Sequence, residues 1–98
     1  MRGRMDEGPS YAAPVAVGAV MEGQTVTEVL QSTVADIAVG DHVLAPGGWQ
    51  THAVRSAAAL GRRLDAAGLP LSTALGVFGM PGFTAYSSLH EIARLKPG

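Results

Sequence analysis

The sequence predicts an α+β fold, with short strands in residues 16–54 followed by a loop and two C-terminal helices. Residues 16–54 contain short apolar runs separated by close turns, a pattern typical of a small barrel or sandwich. After residue 55 the apolar residues recur at helical spacing instead. Since no strand is followed by a Gly-x-Gly-x-x-Gly loop, no Rossmann domain is predicted.

The β region is expected to hold four strands, after an N-terminal arm formed by residues 1–15. The first two strands are Ala16–Val20 and Thr25–Ser32. Val39–Leu44 indicates a turn that enters the third strand, because its glycine can adopt a positive φ, and Pro46–Gly48 ends that strand. The fourth strand is Trp49–Val54.

The C-terminal third is expected to contain two helices. Leu71–Phe78 favours a short helix that Gly79 closes. Phe83–Leu95 has apolar residues at helical spacing and favours a longer helix, which Pro97 ends. The preceding segment, 57–67, has a helix-favouring composition that Gly61 and Gly68 weaken.

Composition excludes several function classes. The net charge of −1, with scattered arginines, gives no electrostatic footprint for nucleic acid. The absence of cysteine removes disulfides and thiolate catalysis and fits a reducing compartment, so a cytoplasmic location is expected. Residues 69–89 are uncharged, but prolines and glycines interrupt them, so no membrane association is predicted.

The three histidines do not form a metal-binding motif. His42, His52 and His90 are far apart in sequence, and no His-Glu-x-x-His is present. A solvent-facing strand position for His42 and a partly solvated helix position for His90 are the simpler interpretations, whereas His52 could face a pocket. We therefore predict no metal site.

Six segments, taken in their order along the chain, carry a resemblance to a known family. They are the segments Met1–Met5, Ser10–Val15, Val39–Val43, Gly47–Val54, Gly79–Tyr86 and Lys96–Gly98. Together they resemble the zinc-free medium-chain dehydrogenases/reductases of the prostaglandin reductase and alkenal double-bond reductase type. The resemblance extends over essentially the whole chain, as an internal stretch of such an enzyme.

The resemblance implies that residues 16–98 are part of a GroES-like β-barrel catalytic domain, ending at the junction to a missing dinucleotide-binding domain. It also implies that the segment 57–67 is mostly loop. It implies a parent enzyme, usually a homodimer, that uses NADPH and no metal to reduce the C=C bond of α,β-unsaturated ketones or aldehydes by hydride transfer. This chain alone would then be inactive.

By position, Tyr11, Trp49 and His52 match substrate-pocket places in the family. Each has a simpler alternative. Tyr11 could be an arm residue that covers a barrel end, Trp49 could fill the core, and His52 could face solvent.

By the same resemblance, Met80, Pro81 and Thr84 match the region near the nicotinamide of the cofactor. Met80 could instead fill the core, Pro81 contributes shape more than chemistry, and Thr84 could bond back to a helix carbonyl.

A second hypothesis comes from another class of protein. The chain could be a free-standing small β module that binds a peptide or protein partner through uncovered strand edges and an apolar helix face.

Overall fold

A three-stranded antiparallel sheet and one helix form the regular structure of this computed structural model, which describes residues 2–6, 8–9, 12–65 and 68–96. The strands are β1 (Thr25–Glu28), β2 (His42–Ala45) and β3 (Arg63–Leu64). Helix α1 (Met80–Ser87) continues as a π-helical turn (Ser88–Ile92). Three 3-10 turns complete the set: Arg2–Arg4, Ala57–Ala59 and Leu71–Leu75. The predicted α+β class is confirmed at this level.

Strand β2 lies in the centre of the sheet, paired with β1 on one side and β3 on the other. Its side chains alternate in burial, as the two-residue period of a strand requires. Val43 is 3% exposed and Ala45 is 4% exposed. With Ala74 of the third 3-10 turn, which is 6% exposed, they form the buried apolar core of the described residues.

Threonines strengthen the β1–β2 pair. The Thr25 hydroxyl donates to the Ala45 carbonyl at 3.1 Å, and the Thr27 hydroxyl donates to the Val43 carbonyl at 3.4 Å. These bonds add cross-strand contacts to the backbone ladder, so β1 is held by side chains as well as by its main chain.

The described part of the N-terminal arm is attached at Arg4. The Val15 amide donates to the Arg4 carbonyl at 2.7 Å, and the buried Arg4 guanidinium forms an ion pair with Glu22 just before β1. Arg4 therefore joins the first turn of the chain to the approach of the sheet.

Two predicted strands are wrong. At Ala16–Val20 the chain turns, because Gly18 has a φ of +86° and the Ala19 amide bonds the Ala16 carbonyl at 3.0 Å. At Trp49–Val54 the first residue bonds to the segment that precedes β1, since the Trp49 amide donates to the Met21 carbonyl at 2.9 Å. Residues 49–51 form a bend, and residues 52–54 have no regular secondary structure.

The other two predicted strands exist with different bounds. Thr25–Ser32 is regular as far as Glu28. Val29 adds two backbone hydrogen bonds, because its amide donates to the Asp41 carbonyl at 2.8 Å and its carbonyl accepts the Gly40 amide at 2.8 Å. The turn before β2 contains Gly40 at a φ of +91°, as its sequence predicts. Strand β3 was not predicted, because two residues are too short for any alternation to show.

The helices also differ from prediction. Within Leu71–Phe78, residues 71–75 form a 3-10 turn and the rest is a hydrogen-bonded turn. The last helix begins at Met80 instead of Phe83. Pro81 lies in its first turn, where the missing amide hydrogen is not needed, so the proline starts the helix instead of breaking it.

The helix ends where the backbone reverses at Arg94. The Ala93 amide donates to the Ser88 carbonyl at 2.8 Å, the wide spacing of a π turn, and the Leu95 amide donates to Leu89 at 3.2 Å. Arg94 has a φ of +49°, which is the left-handed conformation. A residue in this conformation often ends a helix, and it is usually glycine. The helical segment therefore stops before the predicted Leu95.

Gly79 and Gly82 allow α1 to start very close to the turn before it. A Cβ at Gly82 would lie 1.8 Å from the Val77 carbonyl oxygen, and one at Gly79 would lie 2.0 Å from that of Ala74. The Gly82 amide instead donates to the Gly76 carbonyl at 3.1 Å. These glycines are required by the chain's own backbone packing.

Asp41 links the turn before β2 to strand β3. Its carboxylate accepts the Ala38 amide at 3.0 Å and the Arg63 guanidinium at 3.1 Å. The Ala38 hydrogen bond, with the Arg63 bond and charge, holds the pKa of Asp41 below its ordinary value of 3.8, against a smaller opposing effect of burial.

We expect Gly82→Ala to destabilise the junction between the 71–78 segment and α1, because its methyl group clashes with backbone that no rotamer change can move. The free energy of unfolding should fall by about 1–3 kcal/mol, measured by denaturant titration followed by circular dichroism. Gly3→Ala is the control, since its methyl group enters open space. Equal stability of both variants would contradict the close approach.

We expect Asp41 to make stability depend on acid. A folded-state pKa below the unfolded value means that the stabilisation is present above about pH 4 and is lost as the pH falls through the folded-state pKa. In Asp41→Asn, the decrease of the thermal midpoint between about pH 5 and pH 2 should be smaller than in the parent chain. Asp36→Asn, at an exposed carboxylate of the same connection, should leave the parent profile unchanged. Parallel profiles for the parent and Asp41→Asn would refute the assignment.

Candidate functional site

Trp49 lies at the surface beside the start of β1. Its side chain is 68% exposed, and its Nε1 atom lies 3.3 Å from the position that a Cβ of Gly23 would occupy. The indole therefore packs over a glycine of the neighbouring segment and does not fill the core of the described residues. An apolar ring held at the surface in this way can form one wall of a binding cleft.

His52 follows on the same irregular segment and is exposed. Its Nδ1 atom is 3.1 Å from the Thr51 hydroxyl. Because the predicted strand Trp49–Val54 is absent, strand alternation does not determine which way His52 faces. Tyr11 lies outside the described residues.

The segment that carries Trp49 and His52 is anchored at its base. The Gly47 carbonyl accepts the Gln50 side-chain amide at 2.7 Å and the Arg55 guanidinium at 3.4 Å, while Arg55 also donates to the Pro46 carbonyl at 3.2 Å. These side-chain bonds replace the ladder that a strand would have provided, so the loop has a defined path although it is not part of the sheet.

Met80, Pro81 and Thr84 are brought together by the start of α1. All three are exposed, and the Met80 side chain is 67% exposed, so it does not fill the core of the described residues. The hydroxyl that bonds back into the helix belongs to Ser87, which donates to the Phe83 carbonyl at 2.7 Å. No hydrogen bond of the Thr84 hydroxyl with another described residue is found, so this group can bind a ligand.

One cleft, of about 330 Å³, lies between the β3 segment and the turn that leads into α1. Across it, Arg62 donates to the Phe78 carbonyl at 2.7 Å, one residue before the Gly79–Tyr86 segment begins. The backbone of Arg62 is in turn bonded to β2, because its carbonyl accepts the Leu44 amide at 3.1 Å. Arg62 thus holds the entry to α1 against the sheet.

Sequence reasoning missed Arg62. The pair Arg62-Arg63 is visible as a charge feature, but nothing in it indicates that one guanidinium bonds the Phe78 carbonyl and the other bonds Asp41. Since those partners are 16 and 22 residues away, the roles depend on the tertiary fold.

A second cleft, of about 320 Å³, lies at the far end of the helical segment. Tyr86 and His90 stack there with their ring centroids 4.4 Å apart, one helical turn from each other. Leu89, Leu95 and Lys96 complete the described lining. None of Trp49, His52, Met80 and Thr84 is among the described lining residues of these two clefts.

The described residues contain no cluster of three or more histidine, aspartate or glutamate side chains placed to hold a metal ion. Across the same ranges, no helix combines the length and hydropathy needed to cross a bilayer.

Comparison with known proteins supports one family. Residues 1–62 match the family model described as the N-terminal domain of oxidoreductase. The NADPH-dependent curcumin reductase of Escherichia coli is 47% identical over 98 residues, which are 100% of this chain and 28% of that protein. The NADP(+)-dependent 2-alkenal reductase of Nicotiana tabacum is 35% identical over 100 residues, covering 100% of this chain and 29% of the relative.

A solved structure agrees with these relatives. The crystal structure of CurA from Vibrio vulnificus, in complex with NADPH, matches with a TM-score of 0.80 and 44% identity, over 99% of this chain and 28% of that one. The chain thus spans little more than a quarter of the length of these relatives. Since the family model covers more than half of the chain and these relatives are NADP-dependent oxidoreductases, the chain belongs to the medium-chain dehydrogenase/reductase superfamily, within its N-terminal oxidoreductase domain.

Proposed function

We propose that this chain forms part of the GroES-like catalytic domain of an NADPH-dependent reductase that acts on the C=C bond of α,β-unsaturated ketones and aldehydes. The observation that carries the proposal is the Gly79–Tyr86 segment, whose Met80, Pro81 and Thr84 are exposed together at the start of α1. Support comes from relatives whose names include NADPH-dependent curcumin reductase and 2-alkenal reductase.

The described residues fit one part of the cofactor better than another. A Cβ on Gly79 would lie 2.0 Å from a backbone carbonyl oxygen of this chain, and one on Gly82 would lie 1.8 Å from another. The two glycines therefore do not form an open cradle for a pyrophosphate. Met80 and Pro81 instead offer apolar surface to a flat ring, and the Thr84 hydroxyl offers a hydrogen bond to a carboxamide. These residues would contact the nicotinamide end.

Bound NADPH would supply the hydride for the β-carbon of the substrate. As that carbon gains the hydride, the π pair of the C=C bond would shift to join the α-carbon to the carbonyl carbon, and the π pair of the carbonyl would move onto its oxygen as an enolate. A proton added at the α-carbon would then restore the carbonyl. The protein must therefore exclude water and hold donors near that oxygen. Trp49 would provide an apolar wall, and His52, together with Tyr11, would line the pocket that receives the carbonyl compound.

The chain by itself should be inactive, because its sequence contains no Gly-x-Gly-x-x-Gly loop to hold the pyrophosphate of the cofactor. Completing the site requires polypeptide that the relatives possess over the rest of their length.

We expect the purified chain to show no micromolar binding of NADPH by calorimetry and no NADPH consumption with a 2-alkenal. A chimera, in which these 98 residues replace the matching segment of the Escherichia coli curcumin reductase, should consume NADPH with the same 2-alkenal. A folded chimera that binds NADPH but reduces no enone or enal would overturn the proposed reaction. Micromolar binding of NADPH by the 98-residue chain would overturn the proposal that this chain alone is inactive. Binding of a peptide by the 98-residue chain, with an inactive chimera, would favour the second hypothesis instead.

We expect Thr84→Val in that chimera to weaken cofactor binding through loss of one hydroxyl hydrogen bond. The KM for NADPH should rise by about 3- to 10-fold, consistent with the usual net worth of such a bond. The exposed Ser88, one turn further along, provides the control variant Ser88→Ala, whose KM should stay at the parent value. An unchanged KM in Thr84→Val would remove Thr84 from the nicotinamide site.

A further inference from the structure

Residues 46–55 form a loop that carries Trp49 and His52 and has few backbone hydrogen bonds. Its first half is attached to the segment before β1, because the Trp49 amide donates to the Met21 carbonyl at 2.9 Å. Between residues 51 and 54, no backbone group bonds the backbone of another described residue. The second half of the 46–55 loop therefore depends on side chains for its position.

One guanidinium joins the two ends of the 46–55 loop. Arg55 donates from Nε to the Pro46 carbonyl at 3.2 Å and from Nη2 to the Gly47 carbonyl at 3.4 Å. From Nη1 it donates to the Val54 carbonyl at 2.9 Å. Pro46 and Gly47 begin the loop and Val54 is near its end, so the three bonds close the loop at its base.

This arrangement requires the shape of an arginine side chain. A guanidinium holds its donors in one rigid plane, and here each of its nitrogens bonds a different carbonyl. A lysine has a single nitrogen, so it cannot reach both ends of the loop in the same way. Among the described residues, no carboxylate forms an ion pair with Arg55. The role of Arg55 therefore lies in its bonds to the backbone.

Burial does not fix the residues between the two ends. Trp49 and His52 are both exposed, and every residue from 49 to 55 is exposed. The His52 ring has one hydrogen-bond partner among the described residues, the adjacent Thr51 hydroxyl, which belongs to the same loop. Exposed segments with few contacts open easily, so the Arg55 bonds have a large part in setting where these two side chains lie.

We infer that Arg55 is a positioning residue of the reductase. It holds the 46–55 loop closed, so that Trp49 and His52 keep the places in which they line the pocket for the carbonyl compound, and it acts through them without contact with the substrate. The inference rests on the proposed function. Because a displacement of about 1 Å is enough to weaken a site, opening the loop lowers substrate binding although every binding group is still present.

Fluorescence can follow the loop directly, because Trp49 is the sole tryptophan of the chain. Arg55→Ala and Arg55→Lys are made in the 98-residue chain, and time-resolved anisotropy of Trp49 is compared with the parent. We expect the amplitude of the fast component to rise by about twofold in both variants, because loop motion on the nanosecond timescale is released. Arg94→Ala, which removes the same charge at an exposed position after the helical segment, should leave the anisotropy unchanged.

Kinetics in the curcumin reductase chimera separate the substrate from the cofactor. In Arg55→Ala and Arg55→Lys, the KM for a 2-alkenal should rise by about 3- to 10-fold, as the loss of such hydrogen bonds predicts. The KM for NADPH should stay at the parent value, because the residues proposed to contact the nicotinamide lie on α1. Since the loop lies outside the sheet, the thermal midpoint of the 98-residue variants should also stay near the parent value.

Unchanged anisotropy in both Arg55 variants would overturn the inference, and so would equal rises of the two KM values. Parent values of anisotropy and KM in Arg55→Lys would assign the effect to charge and would also overturn it. A marked decrease of the thermal midpoint would assign Arg55 to the stability of the whole fold instead. An inactive parent chimera would contradict the proposed function, and the anisotropy would then decide whether Arg55 holds the loop.

Discussion

The pairing of β2 with a strand on each side is the constraint on which the described structure depends. Val43 and Ala45 are the buried apolar residues of β2, and the third 3-10 turn, which carries Ala74, packs against β1. Among the described residues, all three buried apolar side chains therefore belong to the sheet or to a segment in contact with it. With a core of small side chains, hydrogen bonds and ion pairs have a larger part in fixing positions. Arg63 with Asp41 is one example, and Arg62 with the Phe78 carbonyl is another.

The chain contains two parts with different degrees of self-sufficiency. In the sheet, β2 is paired on both sides, while the helical segment after residue 79 has large apolar side chains exposed to water. This difference matters for function, because the residues proposed to contact the nicotinamide lie on the second part. Their surroundings in a working enzyme would come mostly from other polypeptide.

The Gly79–Tyr86 segment combines two requirements in a few residues. Gly79 and Gly82 let the helix start against the preceding turn, and Pro81 fixes the first helical turn, so the backbone there is determined by local sterics. The exposed side chains between them are then free to serve binding. A motif that combines backbone demands with exposed side chains is recognisable in sequence, because few other residues can replace its glycines.

The sequence by itself determined the α+β class, the turn at Gly40, the C-terminal helix and the family, since these depend on local backbone preferences and on residue order. It did not determine β3, the loop at Trp49–Val54 or the role of Arg62. Whether a segment pairs as a strand depends on which edge is free nearby, and Arg62 finds its carbonyl partner 16 residues away. Tertiary structure alone decided those features, because their energies come from contacts between segments that are distant in the chain.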